Sequence, residues 1–171
     1  MTAVLAVDIG ARARKAVGAV MHDDGARVKL ARFIVGTGDR RAFAEDVVRE
    51  AAAAGATIVV ESQFIRQPAS AIALIESRMW VKVLATVAGL EYEEVNPSSW
   101  QSVMLRAART PKMKGNTKMR AAEAVRRMWP CMEMSEDQAD AALIGLWWLR
   151  FRGSPRLPSP RARRSRSSPK P

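Results

Sequence analysis

The sequence predicts an α/β fold, a mixed five-stranded sheet with helices on both faces. Two short apolar runs, Ala3–Asp8 and Thr57–Glu61, each end in a carboxylate and read as buried strands. Three strand-like segments joined by short turns open the chain, which calls for antiparallel neighbours. From Thr37 onward helical periods alternate with strands, as βα units require.

The elements follow in order. Ala3–Asp8 is bounded by Gly10. Ala16–Met21 is a second apolar run, and Asp24-Gly25 after it is a strong hairpin signal. Arg27–Val35 begins with alternating Val28 and Leu30 and makes a third strand. Over Thr37–Ala54 the period changes. Phe43, Val47, Val48 and Ala51 fall at helical spacing, and Gly55 is a stop. Thr57–Glu61 is the fourth strand. Pro68 opens a long helix through Ala88, with Gly89 as its cap. Glu91–Val95 is a short fifth strand, and Pro97–Ala108 a helix containing Trp100 and Met104. Thr110–Gly115 is a basic loop. Asn116 caps a helix to about Met128, before Trp129-Pro130. Ser135 caps a last helix through Arg150, with Gln138 completing a capping box. No internal repeat is present. The domain is expected over 1–152, and residues 153–171, rich in Pro, Ser and Arg, are expected to be a disordered basic tail.

Composition narrows the chemistry. The 171 residues are 48% apolar, enough for one sizeable core, and carry a net charge of +11. Residues 150–171 hold eight Arg or Lys and no acid, leaving +3 for the rest. This field suits a polyanion such as nucleic acid, or an anionic membrane surface. One cysteine, Cys131, excludes an internal disulfide and a Cys-rich zinc site, and one histidine, His22, excludes a multi-histidine metal site. Neither has an assigned role. No apolar run approaches the ~18–20 residues of a membrane span. The first ten residues lack the pattern of a secretory signal, so an intracellular, cytoplasmic location is the expectation.

Four carboxylates stand out. Asp8 and Glu61 both end buried strands, where ligands of open α/β sheets bind. A carboxylate there is costly unless it is paired, metal-bound or capping a turn. Asp137 and Asp140 lie three apart, on one face of the last helix. Asp137 in the first turn also suits the helix dipole. The rest of that helix is apolar nearly all round, so it packs into the core and its acids face a cleft. Four acids without a usable His or Cys suit hard, oxygen-seeking cations, Mg²⁺ or Mn²⁺. Two such ions ~3.5–4 Å apart activate water and stabilise the leaving oxygen of a phosphodiester.

The ordered motifs Val7-Asp8-Ile9-Gly10, Val60-Glu61-Ser62-Gln63-Phe64 and Asp137-Gln138-Ala139-Asp140-Ala141 resemble the RuvC-type Holliday junction resolvases of the RNase H-like nuclease fold, their phage and poxvirus branch above all. The resemblance spans roughly Ala3 to Arg150. It implies that Asp8, Glu61, Asp137 and Asp140 are a metal-binding catalytic tetrad. It also implies a homodimer that cuts a four-way DNA junction symmetrically and leaves ligatable nicks. By the same resemblance Phe64 stacks at the junction centre, unless it is an ordinary core Phe. Lys118 faces the scissile phosphate, unless it is a solvated helix lysine. Lys112, Lys114, Lys118 and Arg120, after Arg106 and Arg109, form a basic cluster expected to hold phosphates. Arg12, Arg14 and Lys15 flank the first hairpin and are further DNA-binding candidates. The five tryptophans are expected in the core or a dimer interface.

Two departures from the bacterial pattern are visible. Ile9 stands where those enzymes usually have Pro. The connection from Pro97 to Lys114 is longer and resembles the phage version. Alternatives of the same fold are a flap or branched-DNA nuclease and an RNA-processing enzyme. A non-catalytic nucleic-acid-binding protein is a third reading, carried by the tail. A sugar-kinase or actin-like ATPase half, prompted by Asp8-Ile9-Gly10, lacks the second domain and further phosphate loops it would need.

Overall fold

A computed structural model of the chain describes residues 1–10, 15–62, 68–106 and 116–152, with 68–70 as backbone. Five strands form one sheet: β1 (Thr2–Asp8), β2 (Val17–Asp23), β3 (Val28–Val35), β4 (Thr57–Glu61) and β5 (Tyr92–Val95). Their spatial order is β3-β2-β1-β4-β5. β1 to β3 are an antiparallel meander, and β4 and β5 add in parallel to β1. The predicted mixed five-stranded sheet is the sheet observed.

Helices cover both faces. α1 (Arg40–Ala54) and α2 (Pro68–Val87) lie on one, while α3 (Pro97–Met104), α4 (Thr117–Met128) and α5 (Glu136–Phe151) lie on the other. The period-2 alternation of the strands divides the core between them. Leu5, Val7, Ile58 and Val60 pack with Phe43, Val47 and Val81 of the first pair. Val4, Ala6 and Val59 pack with Trp100, Leu143 and Ile144 of the second layer. Both faces of β1 and β4 are buried, which is why their sequences run apolar without alternating. β3 is an edge strand with half its residues exposed, so only its start alternates visibly.

Caps fix where the helices begin. α1 starts at Arg40 rather than near Thr37, because the Asp39 carboxylate accepts from the Arg41 and Ala42 amides. It ends at Gly55, whose φ of +58° is the left-handed geometry glycine adopts without strain. Asn96, Asn116 and Ser135 cap α3, α4 and α5, and Ser135 and Gln138 form the predicted capping box. The structure ends α3 at Met104, with the turn closing through Leu105, rather than at Ala108. The basic loop Thr110–Gly115 and the tail 153–171 lie outside the described residues.

Candidate active site

Two sheet carboxylates meet at the carboxyl ends of β1 and β4. The parallel register runs through Val7↔Val60, so Asp8 and Glu61 are the next residues on neighbouring strands. Each follows by two a residue of the α5-side core, Ala6 and Val59, and so belongs to that face. Both are only 8% exposed. Gly10, just beyond, marks a close approach: a Cβ there would stand 2.5 Å from the Cβ of Lys15. The chain therefore returns against the end of β1, placing the exposed Lys15 near Asp8.

α5 brings in the second pair. It rests backbone-close on β1 and β2, since a Cβ on Gly145 would meet Met21 Sδ at 2.6 Å and Ala6 Cβ at 3.2 Å. Its C-terminal residues Leu146 and Arg150 line a cleft with Asp23, which pairs with Thr2 at the start of β1. The helix thus runs antiparallel to β1. Counting back from Gly145 to Asp140 covers about 7.5 Å of helix. Counting forward from Ala6 to Asp8 covers about 6.6 Å of strand. The first turn of α5 therefore lies over the strand ends.

The electrostatics record that approach. Burial pushes the Asp140 carboxyl up to about 7, reinforced by the negative charges of Glu61 and Asp137 and opposed by Lys118. Asp140 Oδ1 is buried without a hydrogen-bond partner. Burial also raises Glu61, and a 2.7 Å hydrogen bond from Trp100 Nε1 to Glu61 Oε1 acts against that rise. Asp137 is half-buried. Lys118, from the first turn of α4, donates to Glu136 at 2.6 Å, and this bond raises its pKa, helped by Asp137 and Asp140.

Among the described residues no three His, Cys, Asp or Glu side chains stand close enough to enclose an ion. The donor set nevertheless fits a divalent cation with oxygen ligands. An orphaned carboxylate oxygen beside two further acids is the arrangement such an ion satisfies, and an ion would have to draw the side chains together. Arg120 is half-buried on α4, its Nε without a partner. Arg106 is exposed at the end of α3. Arg12, Arg14, Phe64, Arg109, Lys112 and Lys114 lie outside the described residues. Sequence reasoning missed two contacts: Trp100 on Glu61, and Glu136 on Lys118. The short spacing from β5 to the Asn96-Pro97 helix start carried the only available signal for the first.

No known family profile matches the sequence, and no curated protein matches it. Solved structures do. A Thermus thermophilus RuvC structure in complex with a Holliday junction substrate aligns over 88% of this chain and 96% of its own, at 19% identity and a TM-score of 0.66. The fowlpox virus Holliday junction resolvase aligns over 87% and 99%, at 14% identity and 0.55. The yeast mitochondrial Holliday junction resolvase Ydc2 aligns over 87% and 78%, at 16% identity and 0.57. The chain has the RuvC-type resolvase fold.

Proposed function

We propose that this chain is a divalent-metal-dependent endonuclease that resolves four-way DNA junctions. The observation that carries the reading is that Asp8 and Glu61 end neighbouring strands of this fold, while the pKa of Asp140, on the first turn of α5, is raised by burial and by the charge of Glu61. Two of the solved structures of the fold, including that of the Thermus protein, are complexes with Holliday junction DNA.

In this reading Asp8, Glu61, Asp137 and Asp140 hold Mg²⁺ or Mn²⁺, two ions in the full site. Bound there, the metal supplies a water nucleophile and charge stabilisation for phosphodiester hydrolysis. The chain's own residues do the rest. Asp140, its Oδ1 lacking a donor, is ready to bind a cation. Lys118 sets an ammonium beside Asp137 and Asp140, and a DNA phosphate competes with Glu136 for it. Lys15 and Arg120, with Arg12, Arg14, Lys112 and Lys114, hold the flanking backbone. Phe64, three residues past Glu61, stacks at the junction. Paired incision needs two sites, hence two chains. α2 supports a homodimer, because Ile72, Ile75, Met79 and Val83 make an exposed apolar stripe at helical spacing.

The test compares a mobile four-way junction with flap, duplex and structured RNA substrates, in Mg²⁺, Mn²⁺ or EDTA. Paired nicks across the junction are expected in either metal, absent in EDTA and in Asp8→Asn. Equal cutting of flaps and junctions would move the reading to a broader branched-DNA nuclease, and preference for RNA would overturn it. Junction binding without cutting in any metal would leave a non-catalytic DNA-binding protein.

A further inference from the structure

The hydrogen bond between Trp100 and Glu61 joins a core residue to the reacting centre. β5 ends beside β4 with Val95 in register with Glu61. Ser62 clamps that end, its amide and hydroxyl both donating to the Val95 carbonyl at 2.8 and 3.0 Å. The chain then turns at once. Asn96 accepts from the Ser98 amide, Pro97 opens α3, and the fourth helical residue, Trp100, comes back over the end of β4. Its ring is 1% exposed and belongs to the same core as Leu105, Val125 and Leu143. Its Nε1–H is spent on Glu61 Oε1 at 2.7 Å.

A buried indole N–H has one donor and needs one acceptor. Here the acceptor is a carboxylate, which makes the bond charge-assisted and geometrically demanding. The bond occupies one oxygen of Glu61 and fixes its rotamer. The charge of the carboxylate held in this way acts in turn on Asp140, whose pKa it raises. The ring packs in one core with Val59 and Val95 of the sheet and with Leu143 and Ile144 of α5, the helix that carries Asp137 and Asp140. One side chain thus holds the sheet carboxylate by a hydrogen bond and packs with the helix that carries the other acids.

We propose that Trp100 is a positioning residue of the nuclease centre, holding Glu61 in the orientation in which it takes the divalent cation. The inference rests on the carboxylate reading given above and deepens it. It needs no contact between Trp100 and DNA.

Trp100→Phe keeps an aromatic ring in the core and removes the donor. Mn²⁺ binding to the full-length chain without DNA is measured by calorimetry. Affinity is expected to fall about 10- to 100-fold, the usual effect of losing a hydrogen bond behind a metal ligand. Junction cleavage should fall by a similar factor at low Mn²⁺ and recover as Mn²⁺ is raised, while junction binding in EDTA stays unchanged. Equal Mn²⁺ affinity in the variant and the wild type overturns the inference and leaves the carboxylate reading standing. A wild-type chain with no Mn²⁺ affinity overturns that reading and the inference with it. The wild-type protein gives a test independent of how well the variant folds. The Trp100 indole N–H resonance should shift saturably on Mg²⁺ addition, with the midpoint found by calorimetry, and an unmoved resonance overturns the inference.

Discussion

Asp140 is the residue in which the folded chain is most at odds with itself. Its carboxyl is largely buried, one oxygen lacks a donor, and three other acids, Glu61, Asp137 and Glu136, press on it. In the metal-free protein its pKa rises from 3.8 to about 7. Between those values the folded chain keeps a proton that the unfolded chain has released. Proton binding is then greater in the folded state, so the stability this site contributes is present at low pH and is lost as pH rises toward 7. The loss is at most on the order of 4 kcal/mol. Urea unfolding in EDTA at pH 5, 6, 7 and 8, read as the difference between wild type and Asp140→Asn, should show wild type falling behind the variant as pH rises. Saturating Mg²⁺ should reverse the trend. A difference that stays flat across the series would mean that Asp140 ionises freely and does not belong to a carboxylate cluster.

The same acid depends on an element, because α5 has to lie close to the sheet for its first turn to reach the strand ends. Gly145 permits that contact. Gly145→Val places branched carbons against Met21 and Ala6, an overpacking that costs about 1–3 kcal/mol. The expected result is a lower melting temperature together with loss of junction cleavage, although the substitution lies more than a helical turn from the acids. A stable, fully active Gly145→Val variant would show that α5 need not seat this closely. Most elements were legible because local signals agreed. The apolar run of β1, the Ser135–Gln138 box and the Gly55 stop each have one short-range cause. The change of period after Thr37 does not locate the start of α1, which the Asp39 cap sets in the folded backbone. The three-residue spacing put Asp137 and Asp140 on one face, but their approach to Glu61 depends on strand register and helix seating. The Trp100–Glu61 bond crosses 39 residues of chain, and no periodicity encodes a contact of that range. Of the residues between the described segments that the proposed DNA path uses, Phe64 is read from the motif, and the arginines and lysines from their charge and place in the chain.

At the scale of the whole molecule, charge is divided by position. The acids of the site sit at one end of the sheet, and no helix among the described residues is long and apolar enough to cross a membrane. Residues 153–171 carry six Arg or Lys and no acid. Cations in a segment with almost nothing apolar to bury act on DNA through its phosphates, which makes binding stronger and more salt-dependent without reading structure. Each phosphate neutralised steepens the dependence of log affinity on log salt by about 0.9 on duplex DNA. A chain ending at Arg152 should therefore bind duplex and junction more weakly at low salt, with a slope shallower by up to ~5. Its preference for the junction over duplex should survive, because recognition of the branch is assigned to the domain that holds the carboxylates. Titration of both DNAs between about 50 and 300 mM NaCl, full-length against truncated, separates the two contributions. Loss of the junction preference on truncation would assign branch recognition to the tail, and the basic residues around Lys118 would then need another role.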